Sequence, residues 1–149
     1  MDSRKIILVE DNTDDVFMTK RMFEKSKISN EIIVLDDGEA AIKYMFSDKG
    51  DCKLDDKDLP LVMVLDLNLP KVHDIDILRK IRSCENTKLI PVIVLSGSRQ
   101  EDDLITSYLL GVIAFVRKPV KFNDFIEAIR ELGLYILITQ KQPLEFLRK

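Results

Sequence analysis

The segment LVMVLD (61–66) places an aspartate, Asp66, directly after five apolar residues. Such an apolar run is typical of a strand buried on both faces of a sheet, where a carboxylate is costly to bury without a partner. The strand candidate KIILVE (5–10) also ends in an acid, Glu10, and Asp11 follows it. Three carboxylates in one place repel each other, and their pKa values rise unless a cation compensates. Their hard oxygen ligands suit Mg²⁺.

An aspartate beside such a metal ion can act as a nucleophile toward phosphorus and form an aspartyl phosphate. Two further strand candidates end in residues that could assist this reaction, Ser96 after IPVIVL and Lys118 after GVIAFVR. Lys118 can neutralise phosphoryl oxygens, and the Ser96 hydroxyl can donate a hydrogen bond to one of them. The residue types therefore predict a metal-dependent phosphoryl-transfer site around Asp66.

These residues must be positioned by short strands that alternate with amphipathic helices. The strand candidates are residues 5–10, 31–36, 61–66, 90–96 and 111–117, and the helix candidates lie near 13–27, 38–47, 74–83, 100–110 and 121–132. Five successive βα units predict an α/β fold with a doubly wound, five-stranded parallel sheet between two layers of helices. In the flavodoxin-like order 2-1-3-4-5, strands one and three are neighbours and their acids converge where such folds bind ligands.

Composition and charge exclude several other classes of protein. The 149 residues fit one domain, and a net charge of −3 gives no reason to expect nucleic acid or a membrane as partner. His73 is the single histidine, which argues against a zinc site or a histidine-based triad. Cys52 and Cys84 lack metal-binding or redox spacing, so we expect reduced thiols in a cytoplasmic protein.

Four short blocks, ILVEDN, VLDLNLP, VIVLSGS and VRKP, resemble the signature blocks of the response-regulator receiver domains of two-component signalling. The separations match as well, with thirty residues from Asp66 to Ser96 and twenty-two from Ser96 to Lys118. The resemblance covers roughly residues 4–133 and implies the CheY-like fold. The long 47–60 segment and the C-terminal length also resemble the single-domain regulators that serve cyanobacterial phytochromes and related histidine kinases.

The resemblance implies a role for each matching residue. Asp66 is the expected phosphoacceptor and Ser96 and Phe115 are the expected switch residues. The remaining expected roles are Mg²⁺ binding by Glu10, Asp11, Asp66 and the backbone carbonyl of Asn68, and phosphate contact by Lys118 before a cis peptide at Pro119. The implied function is a response regulator phosphorylated by a sensor histidine kinase. Such a switch is not an enzyme in the usual sense, since it catalyses only its own phosphoryl transfer and dephosphorylation. One departure is Asp74-Ile75, where receivers usually carry an Asp-Gly pair.

Other interpretations stay open at this point. The same strand ends could serve a small α/β enzyme or a flavin binder, although the acidic EDNTDD segment (10–15) would repel a phosphate without a metal. A haloacid-dehalogenase-type phosphatase needs an acid where Asn68 stands, and a receiver that is not phosphorylated is disfavoured because all the site positions are filled. Asp11, Asn12 or Thr13 could simply cap a helix, and so could Ser96.

The C-terminal segment carries five consecutive apolar residues, 134–138. We expect a receiver domain over residues 1–133 and an extension over residues 134–149, too short for a DNA-binding output domain. Gly133 either ends the fifth helix or lies within it. Because one helix face cannot bury five consecutive apolar residues, we expect a two-fold homodimer through helix five and this tail. The alternative is that the tail folds back over its own domain.

Overall fold

Five short apolar segments form one parallel sheet in the computed structural model, which describes residues 3–67, 72–107 and 110–139. The strands are β1 (Ile6–Val9), β2 (Ile32–Leu35), β3 (Val62–Asp66), β4 (Val92–Ser96) and β5 (Ala114–Arg117). Their order is β2-β1-β3-β4-β5, and every neighbouring pair is parallel. The predicted fold class and strand order are therefore confirmed.

Capping side chains mark the starts of the first two helices. The helices are α1 (Thr13–Lys25), α2 (Gly38–Met45), α3 (Val72–Ser83), α4 (Arg99–Ser107) and α5 (Phe122–Thr139). The Asn12 side chain accepts hydrogen bonds from the backbone N–H groups of Asp14 and Asp15, so Asn12 is the cap of α1. Asp37 caps α2 in the same way, through the N–H of Ala40. Gly38, where the second helix candidate begins, is the first residue of α2.

Helices cover both faces of the sheet, and alternate side chains of each strand point to opposite faces. Ile7, Met63, Leu65, Val92 and Val94 belong to a core cluster that also contains residues of α2, α3 and α4. The intervening strand residues pack against α1 and α5, in a second cluster that contains Ile6, Leu8, Val62, Val64, Ile93 and Leu95. This double burial explains why β3 and β4 read as uninterrupted apolar runs.

Two connections depart from a plain loop. The segment 47–60, predicted to be long and polar, contains a 3₁₀ turn at Asp56–Asp58, and its Cys52 forms an isolated antiparallel bridge with Phe46. Farther along the chain, the Arg82 guanidinium donates to the carbonyls of Leu110, Ile90, Gly111 and Lys88 at 2.7–3.1 Å. Arg82 therefore ties the end of α3 to the segments that enter β4 and β5.

Helix α5 runs through Gly133 and does not end there. The Tyr135 hydroxyl donates to the carbonyl of Leu89 at 2.8 Å, and Ile136 packs against the cluster beneath α1 and α5. These contacts offset the helix cost of glycine, about 1 kcal/mol. Leu134, Leu137 and Ile138 stay 54%, 60% and 78% exposed. Within the described ranges, none of the helices combines the length and apolar character that a membrane span requires.

Candidate phosphoryl-transfer site

The carboxyl edge of the sheet brings Glu10 and Asp66 together. The strand register pairs Val9 of β1 with Leu65 of β3. The residues that follow them, Glu10 and Asp66, therefore lie side by side. The Asp66 side chain is 1% exposed, and Glu10 is also buried. Glu10 Oε1 accepts a hydrogen bond from the Asn12 N–H at 2.8 Å, which holds this carboxylate in the turn between β1 and α1.

Asp15, in the first turn of α1, is the third member of this cluster. One carboxylate oxygen each from Glu10, Asp15 and Asp66 lies within 4.8 Å of the others. Sequence reasoning missed Asp15, although its position three residues after the helix cap Asn12 turns it toward the strand ends. Asp11 is exposed and is not part of this group, but its negative charge contributes to the raised pKa of Asp15.

Two of these acids, Glu10 and Asp15, have raised pKa values. Burial, and then the contact with Asp66, raise the pKa of Glu10 from 4.5 to about 8. Burial and the charge of Asp66 also raise the pKa of Asp15, while the charge of Lys118 opposes that shift. The cluster therefore holds more negative charge than its surroundings stabilise, which is the condition that a bound cation relieves.

Lys118 supplies a positive charge to the same edge of the sheet. It follows β5 directly, and its ammonium forms an ion pair with Asp66 Oδ1. Its backbone N–H donates to the Ser96 carbonyl at 2.7 Å, which fixes the end of β5 against the end of β4. The Lys118–Pro119 peptide bond is cis, as the resemblance implied.

Ser96, at the end of β4, is fully buried. Its hydroxyl donates to Asp102 Oδ1 at 2.5 Å, and Asp102 Oδ2 accepts from the Arg117 guanidinium at 2.7 Å. The cap of α4 is Ser98, whose hydroxyl accepts from the Glu101 N–H. The alternative in which Ser96 merely caps α4 is therefore wrong, and Asp102 is a partner that sequence reasoning did not find.

Phe115 lies on β5 beside an apolar cavity of about 330 Å³. Its ring is partly buried and packs against the core cluster that contains α4. The cavity is lined by Ile105, Thr106, Leu110, Gly111, Val112 and Phe115. Asn68, expected to offer its backbone carbonyl to the metal, lies outside the described residues.

Comparisons with known proteins identify the family. Residues 6–130 match the response regulator receiver domain. The chain is 35% identical to the probable methanogenesis regulatory protein FilR2 of Methanothrix harundinacea, over 93% of this chain and 86% of that protein. It is 33% identical to the response regulator Rcp1 of Synechocystis, over 93% of this chain and 92% of that one.

A solved structure of the bacteriophytochrome response regulator AtBRR is 42% identical to this chain. The superposition covers 87% of this chain and 92% of the AtBRR chain, with a TM-score of 0.69. The chain belongs to the response regulator receiver family, signalling proteins whose general function in two-component systems is to be phosphorylated on an aspartate.

Proposed function

We propose that Asp66 is the phosphoacceptor, that it takes its phosphoryl group from a sensor histidine kinase in the presence of Mg²⁺, and that this event switches a protein-interaction surface. One observation carries the proposal. The buried Asp66 carboxylate lies at the carboxyl end of β3, in an ion pair with Lys118 and beside the carboxylates of Glu10 and Asp15.

The residues of the cluster fit a magnesium ion. Glu10 Oε2 is buried and has no hydrogen-bond partner within the described part of the chain. Three carboxylates with a raised pKa at Glu10 form the hard oxygen set that Mg²⁺ prefers. We assign Glu10, Asp15 and Asp66 to the ion, and keep Asp11 and the Asn68 carbonyl as further ligands. When bound, the ion supplies positive charge to the phosphoryl oxygens.

The chain's own residues then carry out the transfer. An Asp66 oxygen attacks the phosphorus of a phosphohistidine, and the new P–O bond forms as the P–N bond breaks and its electron pair returns to the imidazole. The Lys118 ammonium, already paired with Asp66, neutralises the phosphoryl oxygens that arrive there. Attack of water on the aspartyl phosphate reverses the modification. The protein thus acts catalytically only on itself.

Ser96 and Phe115 transmit the change to the surface. A hydroxyl that turns toward the phosphoryl oxygens leaves its present position beside α4, and the adjacent cavity of about 330 Å³ gives the Phe115 ring space to turn inward. The surface formed by α4, β5 and α5 then differs between the two states. A local charge thereby shifts a two-state element, as a signalling switch requires.

We propose a histidine kinase of the phytochrome class as the partner, in the cytoplasm. The relation to a bacteriophytochrome response regulator, 42% identical, supports this class of kinase. The free thiols of Cys52 and Cys84 suit a reducing compartment.

We further propose a homodimer through α5 and the tail. Leu134, Leu137 and Ile138 form an exposed apolar stripe near the end of α5, a pattern that marks interfaces more often than solvated surface. Tyr135 and Ile136 pack against their own domain, so the exposed stripe is what remains for a second copy. Sedimentation velocity at tens of micromolar should show a dimer that Ile138→Glu dissociates and that Phe17→Glu, at another exposed apolar site on α1, leaves intact. A monomer for the unchanged chain, with and without phosphorylation, would rule the dimer out.

The phosphoacceptor is tested with radiolabelled acetyl phosphate and Mg²⁺. The unchanged protein should incorporate one phosphoryl group, and Asp66→Asn should incorporate none. Asp36→Asn is the matched control, because Asp36 follows β2 at the same edge of the sheet and is exposed. Chelation of Mg²⁺ should abolish labelling of both the unchanged protein and the control. Equal labelling of Asp66→Asn and the unchanged protein would refute the assignment.

A further inference from the structure

The Ser96 hydroxyl has one proton to donate, and a carboxylate already accepts it. Ser96 Oγ lies 2.5 Å from Asp102 Oδ1, and the serine is fully buried. A hydrogen bond to an ionised acceptor is roughly twice as strong as one between neutral groups. The proposed switch requires the same proton to point at a phosphoryl oxygen on Asp66. The two acceptors therefore compete for one donor.

Asp102 is itself held in place from the other side. Its second oxygen accepts from the Arg117 guanidinium at 2.7 Å, and its side chain is only 18% exposed. Arg117 is the β5 residue paired in register with Ser96 of β4, and it lies two residues beyond Phe115. The contact chain Ser96–Asp102–Arg117 therefore joins β4, α4 and β5, the elements that the proposed switch rearranges.

We propose that Asp102 is a positioning residue that latches Ser96 in its unphosphorylated orientation. The inference rests on the proposed function, because it assigns to Asp102 the contact that Ser96 must break. When Ser96 turns to the phosphoryl group, Asp102 loses its bond to β4 and keeps Arg117. The Gly97 N–H still donates to Glu101 Oε1 at 2.7 Å, so the first turn of α4 is held to the end of β4 by one side-chain contact fewer. The loss of the Ser96–Asp102 hydrogen bond thereby couples phosphorylation to the position of α4.

The hydrogen bond between Ser96 and Asp102 should lower the affinity of the protein for a phosphoryl group, because Ser96 must break it to reach that group. When only a fraction of the molecules is in the conformation that can bind a ligand, the apparent dissociation constant equals the intrinsic constant divided by that fraction. Removing Asp102 should therefore raise the apparent affinity for a phosphoryl mimic. The expected increase is about tenfold, the ratio that corresponds to about 1.4 kcal/mol. The effect must vanish when Ser96 has no hydroxyl, since the latch acts only through that group.

The experiment is a double-mutant cycle with beryllofluoride and Mg²⁺ as the probe, read from the amide NMR shift of Phe115 during titration. Asp102→Ala should bind beryllofluoride about tenfold more tightly than the unchanged protein. In the Ser96→Ala background, Asp102→Ala should change the affinity by less than about twofold. Asp103→Ala, which removes the same charge from an exposed neighbour on α4, should leave the affinity unchanged.

The conservative variant separates the hydrogen bond from the charge. Asp102→Asn keeps an oxygen that can accept from Ser96, so its affinity should lie nearer to that of the unchanged protein than to that of Asp102→Ala. An unchanged affinity in Asp102→Ala would overturn the latch, and so would an equal gain in the Ser96→Ala background or in Asp102→Asn. Failure of the unchanged protein to bind beryllofluoride would overturn the proposed function and the latch together.

Discussion

Replacing Glu10 with glutamine should remove most of the pH dependence of stability in the metal-free protein. Burial and the contact with Asp66 raise the pKa of Glu10 from 4.5 to about 8. Between pH 4.5 and about pH 8, the Glu10 carboxyl keeps its proton in the folded state and has released it in the unfolded state. The stabilisation is complete below pH 4.5 and is lost as the pH rises toward about 8, so the free energy of unfolding falls with pH.

The size of this effect follows from the shift. Each pKa unit corresponds to about 1.4 kcal/mol, and pH 7 lies about 2.5 units above the usual value of 4.5. Because the unfolded state releases a Glu10 proton that the folded state keeps, the free energy of unfolding should be lower at pH 7 than below pH 4.5 by roughly 3.5 kcal/mol. The raised pKa of Asp15 adds to the fall in the same direction.

Urea denaturation in the presence of a chelator measures the slope of the free energy of unfolding against pH, between about pH 5 and pH 8. The Glu10→Gln variant resembles the protonated carboxyl, and its stability should change far less over this range than that of the unchanged protein. Glu24→Gln, an exposed site on α1, should keep the full slope. Mg²⁺ should flatten the slope of the unchanged protein, because it compensates the ionised carboxylates. Equal slopes for the unchanged protein and Glu10→Gln in chelator would refute the reasoning.

Two further predictions concern the scaffold. Arg82→Met should lower the free energy of unfolding by about 3 kcal/mol, because part-buried carbonyls such as those of Leu110 and Ile90 lose their hydrogen-bond donor. Urea denaturation measures this loss, and a value below about 1 kcal/mol would contradict the prediction. Gly133→Ala should stabilise the protein by about 1 kcal/mol and raise its melting temperature, since the added Cβ meets no atom within 4 Å and α5 is continuous there. An unchanged or lower melting temperature would show that α5 gains nothing from alanine at this position.

The fold could be predicted from sequence because its signals are local. The uninterrupted apolar run of β3 occurs only where helices cover both faces of a sheet, and the order of strands and helices then fixes which strand ends meet. Asp66, Glu10 and Lys118 are strand-end residues, so the same logic placed them at one edge. Ile75, at the position where receivers usually carry glycine, is buried in the core cluster, where glycine would leave a gap.

Other parts of the site depend on contacts that no local pattern encodes. Asp15 joins the acidic cluster because the Asn12 cap sets the direction of the first turn of α1. Asp102 meets Ser96 only because α4 returns over the end of β4. Helix propensity left the role of Gly133 open, and the packing of the residues beyond it decided the outcome in favour of a continuous helix.

The most direct test of the central claim is to locate the phosphoryl group chemically. Protein treated with acetyl phosphate and Mg²⁺ is reduced with borohydride, which converts an aspartyl phosphate to homoserine, and is then sequenced by tandem mass spectrometry. We predict homoserine at position 66 and unmodified aspartate at positions 11, 15 and 102. Homoserine at another aspartate, with Asp66 intact, would contradict the account.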